Sequence, residues 1–420
     1  PISDSTMRLI SSSSSGRSDT LSYFDRIRSG GINMYNNTKD ELFAVSLIIF
    51  GTCILLPVLI YALRFSFSYL STIVWGHDRR EITTSSKVDV FTDTSQVKIA
   101  YNYLRRTSFV PENIVDNQAL SKKVDTSDEW ILKRTGIRTR HIASKNQVTS
   151  DLGVEAARAA MVCAGVSPND IDLIVLATVT PDNTFPSTAT HIQSKLGIKK
   201  GAAFDVQAAC SGFIYSLNVA DNMIRLGQAN TVLLIGSETF SRIVDWQDRS
   251  TCVLFGDGAG AVVLGAEDNN GSNRDRGVLS THICSDGDFY KMLWTNGGPS
   301  TNGNAGYIEM DGADVFKHAV IRMAEVVQKS LDENALEISD VDWLVPHQAN
   351  IRIMDSVAKK LSIAKSKVVV TVDQHANTSA ATIPLALAEA QSQECFSPGD
   401  LISLTAMGGG FTWGSALVRW

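Results

Sequence analysis

The stretch Asp205-Val206-Gln207-Ala208-Ala209-Cys210-Ser211-Gly212 decides the fold expected of this chain. An apolar strand ends within it, small residues follow, and a long helical stretch begins after the cysteine. Reactive side chains of α/β proteins occupy this place, where a buried strand gives way to a helix. The stretch therefore predicts an α/β fold with Cys210 at a helix N-terminus, which favours the thiolate and lowers the pKa of the thiol.

Two further polar segments have the same setting at the end of an apolar strand. Val345-Pro346-His347-Gln348-Ala349-Asn350 brings an imidazole, and His375-Ala376-Asn377-Thr378-Ser379 brings a carboxamide. Taken singly, His347 is as readily a satisfied core residue and Asn377 an ordinary helix N-cap. With Cys210 they supply one nucleophile and two neutral hydrogen-bond donors. That set suits carbon–carbon bond formation on thioesters, because two donors stabilise an enolate on a thioester carbonyl.

A faint internal repeat predicts a duplicated architecture. Residues 170–175 (DIDLIV) resemble residues 340–345 (DVDWLV), 170 positions later, and the surroundings of Cys210 resemble those of Asn377, 167 positions later. Two nearly equal offsets predict two pseudo-symmetric βαβ halves that both contribute strand ends to the site. The apolar runs predict strands at 173–176, 231–235 and 368–372, and the patterns that end at glycine or follow Asn377 predict helices at 154–164, 211–226 and 380–390.

Bulk composition excludes several classes of protein. The chain has 420 residues, a net charge of −6 and 44% hydrophobic residues, which allows a large core and argues against a general nucleic-acid binder. Its six cysteines form no CxxC pair, so neither a disulfide framework nor a metal site is expected. A reduced, cytoplasmic compartment is expected for the enzyme domain.

Two glycine-rich runs allow close backbone approach. Consecutive glycines at 408–410 can point a backbone amide into a site, and no GxxxxGK[ST] phosphate loop is present. The run Phe255-Gly256-Asp257-Gly258-Ala259-Gly260-Ala261 has the wrong spacing for a dinucleotide fingerprint. We expect it to mark tight packing of strand against strand.

The first hundred residues differ in character from the rest. Residues 1–41 predict a disordered Ser-rich segment, 42–64 a candidate transmembrane helix, and 65–96 a linker. The alternative for 42–64 is a buried core helix; a membrane span would anchor the enzyme domain. Residues 97–270 and 271–420 are expected to form the two pseudo-symmetric halves.

These motifs, with Thr126-Ser127-Asp128-Glu129-Trp130-Ile131 and Arg134-Thr135-Gly136-Ile137-Arg138, closely resemble β-ketoacyl-acyl carrier protein synthase III. The resemblance runs from 107 to 420 in unbroken motif order. It implies a thiolase-like fold: two pseudo-symmetric βαβαβ halves in a five-layered αβαβα arrangement, here after a non-homologous N-terminal extension. Residues 101–106 depart from the family's opening strand, so we expect the first hundred residues to be a fusion or a misjoined reading frame.

The resemblance implies a decarboxylative condensation that initiates fatty acid synthesis, with acyl-CoA and malonyl-acyl carrier protein as substrates and no cofactor. Cys210 would take the acyl group, and His347 and Asn377 would stabilise the malonyl thioester enolate. The backbone amides of Cys210 and Gly409 would form the oxyanion hole. Trp130 and Arg249 match residues that sandwich the adenine of CoA.

Further positions carry over from the family with lining, docking or dimer roles. The CoA channel positions are Arg134, Phe316 and Asn350. The basic patch that would dock the acidic carrier protein is Lys317, Arg352, Lys359 and Lys360. Phe185 would reach the acyl pocket of a partner subunit in a homodimer. Met407 replaces a phenylalanine common in acetyl-specific members and leaves the length and branching of the starter open.

Two alternatives compete with this reading. One is a related ketosynthase-III-like enzyme with another starter or a role in secondary metabolism. The other is a non-catalytic, membrane-associated thiolase-like protein. Because Cys210, His347 and Asn377 are all present in context, we favour the catalytic interpretation.

Overall fold

In a computed structural model, the described residues are the backbone of 95–99 together with 107–268 and 274–420. The predicted disordered segment (1–41), the candidate transmembrane helix (42–64) and the linker up to residue 94 lie outside them. Within the described ranges, no helix is both long and apolar enough to cross a membrane. The description below concerns the compact unit Phe91–Trp420.

The described strands and helices alternate along most of the chain. The strands are β1 (Ser95–Ile99), β2 (Ser108–Phe109), β3 (Ile114–Asp116), β4 (Thr139–His141), β5 (Leu173–Ala177), β6 (Ala202–Val206), β7 (Thr231–Glu238), β8 (Gly258–Asp268), β9 (Gly277–Ser285), β10 (Leu293–Thr295), β11 (Ile308–Met310), β12 (Trp343–Pro346), β13 (Leu401–Gly408) and β14 (Thr412–Arg419). The α-helices are α1 (Asn117–Ser121), α2 (Asp128–Thr135), α3 (Thr149–Ala164), α4 (Thr188–Leu196), α5 (Gly212–Arg225), α6 (Arg249–Cys252), α7 (Gly312–Glu333), α8 (Ile351–Lys360), α9 (Val372–His375) and α10 (Thr382–Ser392).

The main sheet joins both halves of the compact unit. Its strand order is β12-β13-β14-β9-β1-β8-β7-β5-β6, and β2 pairs with β8 as the tenth strand. β5 runs parallel to β6 and β7, and β12 runs parallel to β13. β1 begins inside the predicted linker and pairs antiparallel with both β8 and β9. A strand preceding residue 107 therefore occupies the centre of the sheet.

Alternating side chains on the strands divide the core into layers. On β5, Leu173 and Val175 pack with α5 and α10, whereas Ile174 and Leu176 face α3 and α4. In the other half, Leu404 packs with α5 and α10, and Leu401 faces α7 and α8. From one face to the other, the layers are α3/α4, the part of the sheet that contains β5, the central helices α5/α10, the part of the sheet that contains β13, and α7/α8. The predicted five-layered αβαβα fold is confirmed.

Two aspartates make equivalent contacts in the two pseudo-symmetric halves. The Asp172 amide donates to Thr231 O (2.9 Å), and Asp172 Oδ2 accepts from the Thr231 amide (3.1 Å). The Asp342 amide donates to Leu401 O (2.9 Å), and Asp342 Oδ2 accepts from the Leu401 amide (2.9 Å). Both residues of the second pair lie 170 positions after their counterparts. Each aspartate thus fastens the start of the neighbouring strand in its own half.

The turns before the central helices are also 170 positions apart in the sequence. The 3₁₀ turns Ala209–Ser211 and Ser379–Ala381 precede α5 and α10, and each opens on a residue with positive φ, 45° at Ala209 and 51° at Ser379. The offset of 167 between Cys210 and Asn377 is therefore wrong as a structural equivalence. Asn377 lies three residues upstream of the position that corresponds to Cys210.

Most predicted elements are present with small shifts; one expectation is wrong and another holds only in part. Residues 368–372 do not form a strand: Val368 makes one bridge to Leu344, Val370 is 41% exposed, and a helix begins at Val372. The glycines of 255–261 divide between strand and helix contacts, since a Cβ on Gly256 would lie 3.2 Å from Arg140 Cβ of β4. A Cβ on Gly260 would lie 2.7 Å from Pro384 Cβ of α10.

Candidate active site

Cys210 lies in the 3₁₀ turn between β6 and α5, where two sides hold it in place. Ser211 Oγ donates to Ala208 O (2.7 Å) and contacts Thr412 Oγ1 (2.8 Å). On the other side β13 ends against the turn, since a Cβ on Gly408 would lie 2.6 Å from the Cys210 amide nitrogen. The turn leaves little freedom for the sulfur, which is buried.

The thiol is protonated at neutral pH. Burial raises the pKa of Cys210 to about 12; the Ser379 hydroxyl lowers this pKa, and the negative charge of Glu238 raises it. The expectation that the N-terminus of α5 lowers the pKa of this thiol is therefore wrong. Desolvation of the buried thiolate is the largest cause of this rise in pKa.

His347 directly follows β12 and is held by its backbone and by one ring nitrogen. Its amide donates to Thr405 O (2.8 Å), and Nδ1 lies 2.7 Å from Thr382 Oγ1. Burial lowers the pKa of His347 to about 3, so the imidazole is neutral. Thr382 Oγ1 also lies 2.9 Å from Ser379 O. The single hydroxyl proton of Thr382 thus faces two acceptors, and its direction sets the tautomer of His347.

Asn377 is fixed by the segment 254–256 and by its own carboxamide. Its amide donates to Leu254 O (2.9 Å), and its carbonyl accepts from the Gly256 amide (3.0 Å). Asn377 Oδ1 accepts from the Ser379 amide (2.9 Å). This bond orients the carboxamide and leaves its Nδ2 hydrogens unbonded to any residue of the described ranges.

The three side chains line one cavity of about 1830 Å³. Pockets for drug-sized ligands usually measure about 300–1,000 Å³, so this one suits a longer molecule. The cavity is also lined by seven of the other residues selected from sequence: Trp130, Arg134, Phe316, Asn350, Arg352, Met407 and Gly409.

An aromatic ring flanked by two cations lies at the mouth of this cavity. The Arg134 guanidinium lies 4.4 Å from the centre of the Trp130 ring, and that of Arg249 lies 4.9 Å from it. Arg249 itself does not line the cavity. The cluster presents positive charge beside a flat apolar surface.

The remaining selected residues, Lys317, Lys359, Lys360 and Phe185, lie on the surface outside the cavity lining, close to the lining residue Arg352 in the case of the α8 lysines. Lys317 of α7 and Lys359 and Lys360 of α8 are exposed, as is Arg352, whose guanidinium lies 5.5 Å from the Phe316 ring centre. Within the described ranges, none of these four cations forms an ion pair. Phe185 is 83% exposed.

Sequence reasoning missed several residues of the site. Glu238, at the end of β7, is fully buried near Cys210, and Thr382 contacts His347. The β10–β11 hairpin and its loop line one wall of the cavity through Gly297, Gly303 and neighbouring residues. An acidic residue closing the apolar run 231–236 was a readable signal for Glu238; the hairpin carries none.

The described residues hold no group of three or more His, Cys, Asp or Glu side chains arranged to bind a metal. The five cysteines in the described ranges are free thiols.

Comparison with known proteins identifies the family. The family described as 3-oxoacyl-[acyl-carrier-protein] synthase III matches residues 204–287, and its C-terminal family matches residues 331–420. The β-ketoacyl-[acyl-carrier-protein] synthases III of Paramagnetospirillum magneticum and Rhodospirillum centenum are 58% and 59% identical over 312 and 313 residues. These alignments cover 74% of this chain and 96% and 97% of those proteins.

Solved structures agree with this similarity. The 3-oxoacyl-[acyl-carrier-protein] synthase III of Aquifex aeolicus is 44% identical, with a TM-score of 0.71 over 78% of this chain and 100% of that one. The corresponding Pseudomonas aeruginosa enzyme is 41% identical, with a TM-score of 0.72 over 77% of this chain and 98% of that one. The chain belongs to the β-ketoacyl-acyl carrier protein synthase III family, the thiolase-fold acyltransferases that carry out the initiating condensation of fatty acid synthesis.

Proposed function

We propose that Cys210, His347 and Asn377 carry out this condensation between an acyl-CoA starter and malonyl-acyl carrier protein. The product would be a 3-ketoacyl-acyl carrier protein, with release of CoA and carbon dioxide. The observation that carries the proposal is the meeting of the thiol, the neutral imidazole and the oriented carboxamide on one cavity.

In the first half-reaction, Cys210 Sγ attacks the thioester carbonyl of acyl-CoA. The bond from carbon to the enzyme sulfur forms, the bond to the CoA sulfur breaks, and CoA leaves. The amides of Cys210 and Gly409 would stabilise the oxyanion between these events. Glycine is suited to position 409, because a Cβ there would lie 2.5 Å from Leu293 O.

In the second half-reaction, malonyl-acyl carrier protein loses carbon dioxide, and the resulting carbanion attacks the acyl carbon on Cys210. Asn377 Nδ2 and His347 Nε2–H would donate to the malonyl thioester oxygen as it becomes an enolate. For His347 Nε2 to carry the proton, Thr382 must direct its hydroxyl hydrogen to Nδ1 and away from Ser379 O. Thr382 is thus a positioning residue for the neutral imidazole.

The cluster at the cavity mouth fits the nucleotide end of CoA. Arg134 and Arg249 bring positive charge for phosphates, and Trp130 brings a stacking face. An aromatic base between two flat groups needs about 7 Å, twice a van der Waals contact. The Trp130–Arg249 separation is 4.9 Å, so admitting adenine between them requires the exposed Arg249 side chain to swing outward.

Carrier-protein docking is assigned to the exposed cations Lys317, Arg352, Lys359 and Lys360. They lie on α7 and α8, and Arg352 connects this surface to the cavity mouth. An acidic partner would find them unpaired within the described ranges, which supports the assignment. The exposed Phe185 supports a homodimer in which this ring enters the partner's acyl pocket, and the buried Met407 would limit the starter's length.

Turnover with acetyl-CoA and malonyl-acyl carrier protein tests the proposal. Wild-type enzyme should form acetoacetyl-carrier protein, and Cys210→Ala should abolish it. Cys252→Ala is the matched control, because Cys252 is also buried but lies outside the cavity lining. Full turnover in Cys210→Ala would refute the assigned nucleophile.

A further inference from the structure

We propose that the hydroxyls of Thr412 and Ser211 hold the two amides of the oxyanion hole, those of Cys210 and Gly409, at the spacing that acyl transfer requires. The inference deepens the proposed function and rests on it, because it names what positions these amides. Thr412 and Ser211 are positioning residues, since they act through the backbone. Three observations carry the inference: the hydrogen bonds of this hydroxyl pair, the fixed backbone of Thr412, and the packing around Gly409.

The two amides belong to segments that are far apart in the chain. The Cys210 amide lies in the turn Ala209–Ser211, and the Gly409 amide lies between β13 and β14, 199 positions later. Two donors stabilise one oxyanion only when both lie about 2.7–3.1 Å from its oxygen. Contacts between the two segments must therefore set their spacing.

The hydroxyl pair makes such contacts on both sides of the hole. Thr412 Oγ1 lies 2.8 Å from Ser211 Oγ, and it lies 3.0 Å from both Ala208 O and Gly409 O. Ser211 Oγ lies 2.7 Å from Ala208 O. Ala208 and Ser211 lie on either side of Cys210 in the sequence. The pair is thus a direct polar link between the nucleophile turn and the glycine run.

The hydroxyl hydrogens give this link a direction. Ser211 Oγ donates to Ala208 O, its nearest contact, and accepts from Thr412 Oγ1. Ala208 O also accepts from the Ser211 amide (3.1 Å), so both of its lone pairs are used. The hydrogen of Thr412 is therefore shared between Ser211 Oγ and Gly409 O, in a three-centre arrangement. Thr412 holds the nucleophile turn with one contact and Gly409 with the other.

The backbone of Thr412 is a fixed point for this link. Thr412 begins β14, which pairs with β13 on one side and with β9 on the other. The preceding residue, Phe411, donates its amide to Asp286 O (2.8 Å) and accepts from the Asp286 amide (2.9 Å). Because strands on both sides restrain this backbone, the Thr412 hydroxyl restrains the more mobile-natured glycine at 409, which has no side chain of its own.

Packing sets the closest approach of the two segments, and the hydroxyl pair limits their separation. A Cβ on Gly408 would lie 2.6 Å from the Cys210 amide nitrogen, and a Cβ on Gly409 would lie 2.5 Å from Leu293 O. These steric contacts keep the segments from moving closer together, but they do not resist movement apart. The hydrogen bonds of Thr412 do resist it.

The spacing of the amides matters only where a carbonyl oxygen becomes an oxyanion. This happens when Cys210 Sγ attacks the carbonyl carbon of acyl-CoA. Alkylation of the same sulfur by iodoacetamide forms no oxyanion: sulfur bonds to the CH₂ carbon, iodide leaves, and the thiol proton passes to solvent. Alkylation therefore reports the position and acidity of the sulfur, whereas acyl transfer reports the oxyanion hole as well.

Thr412→Val, which replaces the hydroxyl with a methyl group, tests the inference. Single-turnover CoA release from acetyl-CoA should slow by about 10- to 100-fold, less than the roughly 10²–10³-fold cost of losing a donor outright. Alkylation by iodoacetamide should stay within about twofold of the wild-type rate, because it forms no oxyanion. Thr412→Ser keeps the hydroxyl and should rescue acyl transfer to within about threefold of wild type.

Ser211→Ala is a second variant for the case in which Thr412→Val fails to fold. It removes one member of the hydroxyl pair and leaves Thr412 within reach of Ala208 O. Acyl transfer should slow by about 3- to 10-fold, the effect of one lost hydrogen bond, with alkylation unchanged.

Ser415→Ala is the matched control. Ser415 lies three residues further along β14, and its hydroxyl pairs with that of Ser330. Both hydroxyls share Val326 O as acceptor, at 2.9 and 3.0 Å, just as the first pair shares Ala208 O. The Ser415–Ser330 pair lies outside the cavity lining, so acyl transfer and alkylation should both stay near the wild-type rates.

Two results would overturn the inference. One is acyl transfer at the wild-type rate in Thr412→Val, or in Ser211→Ala where that variant decides. The other is an equal loss of acyl transfer and alkylation, which would mean that the hydroxyl pair positions the sulfur and not the oxyanion hole. Either result leaves the nucleophile test with Cys210→Ala standing, so the two proposals fail separately.

Discussion

The two turns that open the central helices share a backbone and differ in chemistry. Ala209–Ser211 and Ser379–Ala381 lie 170 positions apart, and both begin with positive φ. One presents the Cys210 thiol. The other presents Ser379 and, one residue after the turn, Thr382, which contacts His347. The two halves repeat one backbone turn, and the proposed reaction uses side chains that differ between the two copies.

The halves also brace each other reciprocally. Gly408, in a strand of the second half, presses on the Cys210 turn, and Gly236, in a strand of the first half, presses on Ala380. Each closest approach, from the Cβ that glycine lacks, would be 2.6 Å. Each half therefore positions the turn of the other. We expect damage to one brace to affect one half-reaction more than the other.

Replacing the brace on the nucleophile turn should have the larger effect. In Gly408→Ala, the new methyl group pushes on the Cys210 backbone and displaces the sulfur. Misplacement of a reacting group by about 1 Å costs roughly 10²-fold in rate. We expect that loss in single-turnover CoA release from acetyl-CoA.

Gly236→Ala serves as the comparison for this variant. It makes an equally short contact but moves the other turn, so acyl transfer should fall clearly less. Thermal unfolding of both proteins shows whether the folds are intact. Equal losses in acyl transfer would mean that the Gly408 and Gly236 contacts do not act on different half-reactions.

A smaller effect is expected where the second turn supports the imidazole. Thr382→Val removes the hydroxyl that contacts His347 Nδ1, and a buried group left unpaired costs about 1–3 kcal/mol. Condensation with malonyl-acyl carrier protein should slow by about 5- to 150-fold, while acylation of Cys210 by acetyl-CoA stays near the wild-type rate. Thr382→Ser keeps the hydroxyl and should retain most of the condensation rate. If Thr382→Val slowed acylation as much as condensation, its role would be structural.

The elements that the sequence predicted correctly are those encoded by residues close together in the chain. The predicted strand 173–176 lies in β5, and the predicted helix 154–164 lies in α3, which is capped by Gly165. The aspartates of the two 170-residue repeats make equivalent contacts in the two halves. The residues expected at the reaction centre line one cavity because strand ends of both halves meet there.

The features that failed depend on distant partners. The pKa of Cys210 follows the burial of its thiol in the folded protein, which no pattern around the cysteine reveals. Within the described residues, the apolar run 368–372 makes one bridge, between Val368 and Leu344, and a helix begins at its last residue, Val372. Thr382 gains its importance from His347, which is 35 positions away in the chain.

Peptide mass spectrometry of the acyl-enzyme tests the central claim, the division of labour around one cavity. Wild-type enzyme treated with acetyl-CoA should carry the acetyl group on Cys210 and lose it when malonyl-acyl carrier protein is added. His347→Ala should become acetylated at Cys210 and keep the label after the same addition. An acetyl group on another residue, or its consumption by His347→Ala at the wild-type rate, would contradict the account.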